Sequence, residues 1–217
     1  MMSNYKERLT LDRKNERIIC QVLDRYLYSK DLFSNTGRTT DYQQQAVEGI
    51  DIYFSTSADT FVCDEKCAYY YANKNLQTFA LELSAYSPKA HCRYYGWYLA
   101  PNKKANSYMF IYLNKCEGEL FNFTSGDVHE VEVILVKKEA IQHYLDGLGF
   151  TKDKLMEINS DIADKHVRSW LYDRDGIRFH YSYRYEEKTI NLLIPRKVLR
   201  DISEYNDVIF TYDEQQG

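Results

Sequence analysis

The sequence predicts a mixed α/β fold, a central mixed β-sheet flanked by helices. Three observations carry that reading. Helical and strand-like hydrophobic periods both occur and alternate along the chain. Hydrophobic residues make up 44% of 217 positions, enough for a sizeable core. Twenty-one tyrosines accompany only three prolines, and tyrosine suits strands at the edge of a core, where its ring is buried and its hydroxyl stays wet.

The elements follow in order. Ile18, Ile19, Val22, Leu23, Tyr26 and Leu27 recur at helical spacing. That helix is expected to fade near Ser34–Gly37. Ile50, Ile52 and Phe54 then alternate with Asp51, Tyr53 and Ser55, which is the period of a strand. A turn over Thr56–Asp59 and an extended run from Phe61 into Asp64-Glu65-Lys66 complete a hairpin. A short helix over Ala68–Lys74 and strands over Gln77–Ala85, Tyr94–Leu99 and Ser107–Leu113 come next. Pro101-Asn102-Lys103-Lys104 turns between the last two. In the second half the pattern gives a strand at Val131–Val136 and helices at Lys137–Leu148 and Thr151–Lys165, with Thr151 as a cap. A hairpin over Ile177–Tyr185 and Thr189–Ile194 follows. Pro195 then opens a short helix, and a last strand covers Val208–Tyr212. No internal repeat or linker divides the chain, so residues 1–217 read as one domain, with 129–217 either completing the fold or forming a specificity extension.

Composition excludes several classes. No apolar stretch approaches the roughly 20 residues of a membrane span. The opening MMSNYKERLTLDRKNER has no apolar signal core, so a cytoplasmic protein is expected. Five cysteines, at 20, 63, 67, 92 and 116, are an odd set without zinc-type spacing and read as buried free thiols. There is no P-loop, dinucleotide-binding glycine pattern or nucleophile elbow. A net charge of −4 argues against strong nonspecific nucleic-acid binding but leaves room for a local basic groove. Basic and aromatic residues mix at Arg93–Trp97, Lys103-Lys104 and Arg178–Arg184. Most read as outward faces of strands. Lys103 and Lys104 are candidate phosphate contacts.

The chemically richest segment is the hairpin from Gly49 to Lys66. A loop at Ser57-Ala58 sets Asp51 opposite Asp64; a loop at Ala58-Asp59 sets Asp51 opposite Lys66. In either register Asp51, Asp64 and Lys66 share one face. Opposed carboxylates repel unless a cation lies between them, and such hard oxygen donors suit Mg²⁺ or Mn²⁺. Glu82, on the polar face of the next strand, is a possible third carboxylate. The plain alternative is a cross-strand surface ion pair, which is worth little.

Gly49-Ile50-Asp51 followed by Asp64-Glu65-Lys66 across a short hairpin resembles the PD-(D/E)XK nuclease superfamily. The resemblance covers residues 45–84. It implies a restriction-endonuclease-like fold and Mg²⁺- or Mn²⁺-dependent cleavage of nucleic acid, DNA ahead of RNA. It also implies roles. Asp51, Asp64 and Lys66 would be catalytic. Asp51 and Asp64 would bind the metal, joined by Glu65 as the middle residue of the tripeptide and by Glu82 as an auxiliary ligand. Ile50 stands where the family has proline, and the helix after the tripeptide is short. Rival readings are an idle nuclease-fold module that binds nucleic acid or protein, an assembly protein, and a hydrolase of small phosphorylated molecules.

Overall fold

The computed structural model describes residues 5–118, 123–165, 175–183 and 186–211. It is a mixed α+β structure with two sheets. The long helix α1 (Tyr5–Tyr26) buries Leu11, Ile18, Ile19, Val22 and Leu23 along one stripe. The larger sheet takes β1 (Ser34–Arg38), β2 (Ile52–Ser55), β3 (Thr60–Cys67), β6 (Ser107–Cys116), β7 (Val128–Lys137) and β10 (Tyr205–Phe210), side by side in that order. All its pairings are antiparallel except β3 with β6. The smaller sheet is antiparallel and orders β5 (Cys92–Tyr95), β4 (Thr78–Ser87), β9 (Ile190–Pro195) and β8 (Arg178–Tyr181). Helices α2 (Lys138–Gly147), α3 (Lys152–Lys165) and α4 (Arg196–Asp201) complete the described elements.

Two apolar layers hold these parts. On one face of the larger sheet, Met109, Ile111 and Leu113 of β6 and Val131, Val133 and Leu135 of β7 pack with Ile19, Val22 and Leu23 of α1. On the other face, Tyr108, Phe110, Tyr112, Ile134 and Val136 meet the inward residues of the smaller sheet and of α2 and α3. Strand β6 is therefore buried on both sides and reads as a continuous apolar run. Phe79, Leu81 and Leu83 of β4 face the core, as their alternation predicts.

Parallel pairing of β3 with β6 needs a long crossover. In many α/β units a helix supplies it. Here the chain between them forms one 3₁₀ turn at Tyr69–Tyr71 and then contributes β4 and β5 to the smaller sheet.

The hairpin, β6, β7, α2, α3 and the Pro195-capped α4 match the sequence reading, and Lys154 N–H donates to Thr151 Oγ1 as the cap. Three expectations change. Ser34–Arg38 is a strand rather than the end of a helix; its residues are mostly exposed on both faces, so an edge strand leaves no apolar period to read. The expected helix at Ala68–Lys74 is the single 3₁₀ turn. Strand β5 stops at Tyr95, because the Leu99 and Ala100 amides both donate to the Gly96 carbonyl and curl the chain into a turn. Residues Arg184, Tyr185 and Tyr212 lie outside the described residues. The segment from Val128 onward supplies strands to both sheets. Among the described residues no helix is long and apolar enough to cross a membrane.

Candidate active site

The site begins with register. Ile52 pairs with Cys63, so one step further Asp51 stands opposite Asp64, the first of the two registers considered. Asp51 is fixed from both sides. Its N–H donates to the Cys63 carbonyl at 2.9 Å, and its carbonyl accepts from the Thr39 N–H at 3.1 Å. Its Oδ2 accepts the Glu65 N–H at 2.8 Å.

Asp64 is 3% exposed. The Lys66 ammonium lies 2.5 Å from its Oδ1, and its carboxyl is also within hydrogen-bonding reach of Asp51. Burial pushes the Asp64 carboxyl up to about 7; Lys66 pulls against that rise and Asp51 adds to it. Two carboxylates with too little positive charge between them hold a proton instead. For Lys66, burial works to lower the pKa, but Asp64 and Asp51 outweigh it and hold the ammonium above its usual range.

Three further segments reach the same place. Glu82 of β4 sits in the field of Lys66 and Lys103. Burial raises its pKa, Lys66 counters, and a hydrogen bond from the Trp97 amide also lowers it. A register irregularity between Glu82 and Ser84 marks a bulge in β4 at this point, a common device for aiming a side chain near a site. The turn at Gly96 packs tightly on it: a β-carbon at Gly96 would lie 2.4 Å from the Glu82 carbonyl oxygen. Trp97 ties the group together. Its ring lies 5.2 Å from the Lys66 ammonium and 5.0 Å from the Tyr108 ring. Lys103, in the loop before β6, donates to the Ala46 carbonyl at 3.0 Å. Burial, then Lys66, depress its pKa, while Asp64, Asp51 and Glu82 oppose them. Its chain fits because Gly49 has no side chain; a β-carbon there would lie 2.9 Å from Lys103 Cδ and 3.2 Å from Asp64 Oδ2.

Two predicted members do not join. Glu65 projects to the opposite face of β3, as strand alternation requires. Its carboxylate accepts from Arg38 Nη1 at 2.7 Å and from the Tyr28 hydroxyl at 2.8 Å. As a metal ligand its side chain is therefore corrected to a structural anchor between α1, β1 and β3. Lys104 forms an exposed ion pair with Glu48 at 2.6 Å, so it stands at the rim. His180 lines a separate groove with Tyr71 and Asn191.

Sequence reading missed Glu16 and Lys138, and took Trp97 only as part of the basic and aromatic run Arg93–Trp97. Glu16 on α1 has its pKa raised by burial, with Lys66, Asp51 and Asp12 also acting on it. Lys138, at the start of α2, stands over the Tyr108 ring at 5.6 Å and feels Asp64. None of these is near the hairpin in sequence. The one available signal was the Gly96-Trp97 pair, a small residue beside a large aromatic directly after a strand.

Asp51 and Asp64 fit a hard divalent cation. They are paired oxygen donors whose mutual repulsion a cation would relieve. Among the described residues no group of three His, Cys, Asp or Glu is gathered tightly enough to hold an ion alone. Mg²⁺ commonly binds through one or two carboxylates plus water and substrate phosphate, so two suffice for a substrate-completed site. Comparison with protein-family models, with curated proteins and with solved structures finds no match for this chain.

Proposed function

We propose that the chain is a Mg²⁺- or Mn²⁺-dependent nuclease of the PD-(D/E)XK type, with a restriction-endonuclease-like arrangement around β2 and β3. One observation carries the reading. Asp51 opposes Asp64, with Lys66 against Asp64, while Glu82 and Lys103 from distant segments enter the same electrostatic field. A surface ion pair would not draw a third carboxylate and a second lysine towards a buried Asp64.

In this reading Asp51 and Asp64 hold the ion. A metal bound there would polarise a phosphate and lower the pKa of a water. Lys66, kept in place by Asp64 and the Trp97 ring, orients the attacking water and offsets charge developing on the phosphate. Glu82 supports Lys66 and adds a possible outer ligand. Lys103 contacts a backbone phosphate, and Lys104 serves the same end at the rim once it leaves Glu48. The substrate class is nucleic acid, with DNA the first to assay.

The test is calorimetric titration of Mn²⁺ into the wild type and into the Asp51→Ala/Asp64→Ala double variant, followed by cleavage assays on DNA and RNA. Binding by the wild type alone is expected, with cleavage abolished in Asp51→Ala, Asp64→Ala and Lys66→Ala. Substantial cleavage by all three single variants overturns the proposal. Metal-free binding of nucleic acid without cleavage would point instead to an idle module on the same scaffold.

A further inference from the structure

We propose that a pocket at the end of the smaller sheet, built around Arg93, binds a phosphomonoester carried on a nucleoside. The inference does not rest on the nuclease reading, since no member of the carboxylate cluster lines this pocket. The pocket has a volume of about 480 Å³ and lies between the β4–β5 hairpin and α3, lined among others by Arg93, Lys188, His91, Tyr86, Tyr181 and Asp164.

Its centre is a half-buried guanidinium. Arg93 stands across from Tyr86 in the β4–β5 ladder. Its Nη1 donates to Ser84 Oγ at 2.9 Å and its Nη2 to the Lys188 carbonyl at 3.0 Å. A third hydrogen bond joins it to the Tyr181 hydroxyl. Ser84 is fully buried and donates onward to Asn159 Oδ1 at 2.6 Å, which fixes the acceptor. All three partners of the guanidinium are neutral. Among the described residues no carboxylate forms an ion pair with it.

Such a cation is oriented but not neutralised. Burial lowers its pKa, and the hydrogen bond with Tyr181 only partly offsets this, so an anion entering the pocket would meet a charge short of compensation. A guanidinium has five N–H donors, and three are engaged, which leaves two for a ligand. Lys188 adds an exposed ammonium 5.4 Å from the Tyr86 ring, with no hydrogen-bonded acceptor among the described residues. A planar guanidinium beside an exposed ammonium suits phosphate, with its several oxygens. The remainder of the wall suits what carries the phosphate. Half-buried Tyr86 offers an aromatic surface for a base, and Asp164 offers an acceptor for an amino or hydroxyl group.

The same chemistry occurs on a free nucleotide and on the phosphorylated end of a strand. The experiment is calorimetry on the full chain with inorganic phosphate, AMP, and one oligonucleotide prepared with and without a 5′-phosphate. Binding of AMP more tightly than inorganic phosphate is expected. It should weaken about tenfold or more in Arg93→Gln and measurably in Lys188→Gln, and persist in Asp64→Asn. Lys188 is exposed, so its variant keeps the fold even if Arg93→Gln does not. A phosphorylated oligonucleotide binding more tightly than both AMP and its unphosphorylated twin identifies a strand end; AMP binding more tightly than either identifies a free nucleotide. No binding of AMP or of the phosphorylated strand, or equal binding in wild type and Lys188→Gln, overturns the proposal.

Discussion

At the scale of single residues, β3 divides its labour by alternation. Asp64 and Lys66 face the candidate site, while Glu65 between them faces α1. Asp64 has an ordinary value of 3.8 that folding raises to about 7. The native state therefore binds more protons than the unfolded chain between those values, and stability falls as pH rises through that window. At about 1.4 kcal/mol per unit the effect has an upper bound of roughly 4 kcal/mol. Urea unfolding at pH 5 and pH 8 should show the loss in the wild type, and a flatter profile in Asp64→Asn; equal slopes in the two proteins would contradict the assignment. Glu65 makes a prediction of another kind. Glu65→Ala strips Arg38 and Tyr28 of their shared acceptor in a buried place and should cost about 2–4 kcal/mol. Mn²⁺ titration of the folded variant should nonetheless match wild type, because that side chain lies on the wrong face to reach the ion.

At the scale of elements, the site depends on how the β4–β5 excursion is bent back onto β3. The bulge beside Glu82, the turn at Gly96 and the ring of Trp97 act as one unit. Gly96→Ala places a methyl 2.4 Å from the Glu82 carbonyl oxygen, and backbone cannot yield as a flexible side chain can. A loss of about 2 kcal/mol or more is expected in thermal or urea unfolding, of the order seen for overpacked sites. Trp97→Phe keeps a ring beneath Lys66 with a weaker cation attraction, whereas Trp97→Leu removes it. Cleavage should fall in the order wild type, Phe, Leu, with kcat affected more than KM. A KM effect alone would mean that Trp97 touches substrate rather than positioning Lys66. The helix-free crossover has a further consequence. The family resemblance leads one to look for a helix between the tripeptide and the next core strand, and this chain fills that place with a second sheet.

At the scale of the molecule, α4 is fastened to the larger sheet by charge as well as by apolar packing. Glu132 of β7 and Arg196 of α4 are 2% and 5% exposed. They form an ion pair, Arg200 Nε joins Glu132 at 2.5 Å, and Arg196 also donates to Asn114 of β6 at 2.8 Å. The Arg196 guanidinium stacks 4.1 Å from the Tyr112 ring. Glu132→Ala leaves a buried arginine without its carboxylate, and removing one member of such a pair typically costs about 3–5 kcal/mol. Denaturant unfolding should show that loss. A cost below about 1 kcal/mol would mean that water reaches Arg196 and that the network is not what fastens α4 to the larger sheet.

The sequence by itself determined the mixed architecture, the hairpin and the candidate triad of Asp51, Asp64 and Lys66. Those features rest on local period and on alternation, which act over a few residues. It left two registers open, and the tertiary structure decided between them by pairing Ile52 with Cys63. Alternation set Glu65 on the face opposite Asp64 and Lys66, but only the tertiary structure showed its partners there, Arg38 and Tyr28, and only it paired the loop residue Lys104 with Glu48. Glu82 could be named as a candidate but not placed, Trp97 stood in a basic and aromatic run without a role, and Glu16 and Lys138 could not be found. Each approaches Asp64 or Lys66 from a distant segment. Their neighbourhood exists only because β3 pairs in parallel with β6 and the chain between them folds away into a second sheet, a long-range choice that no short-range pattern encodes.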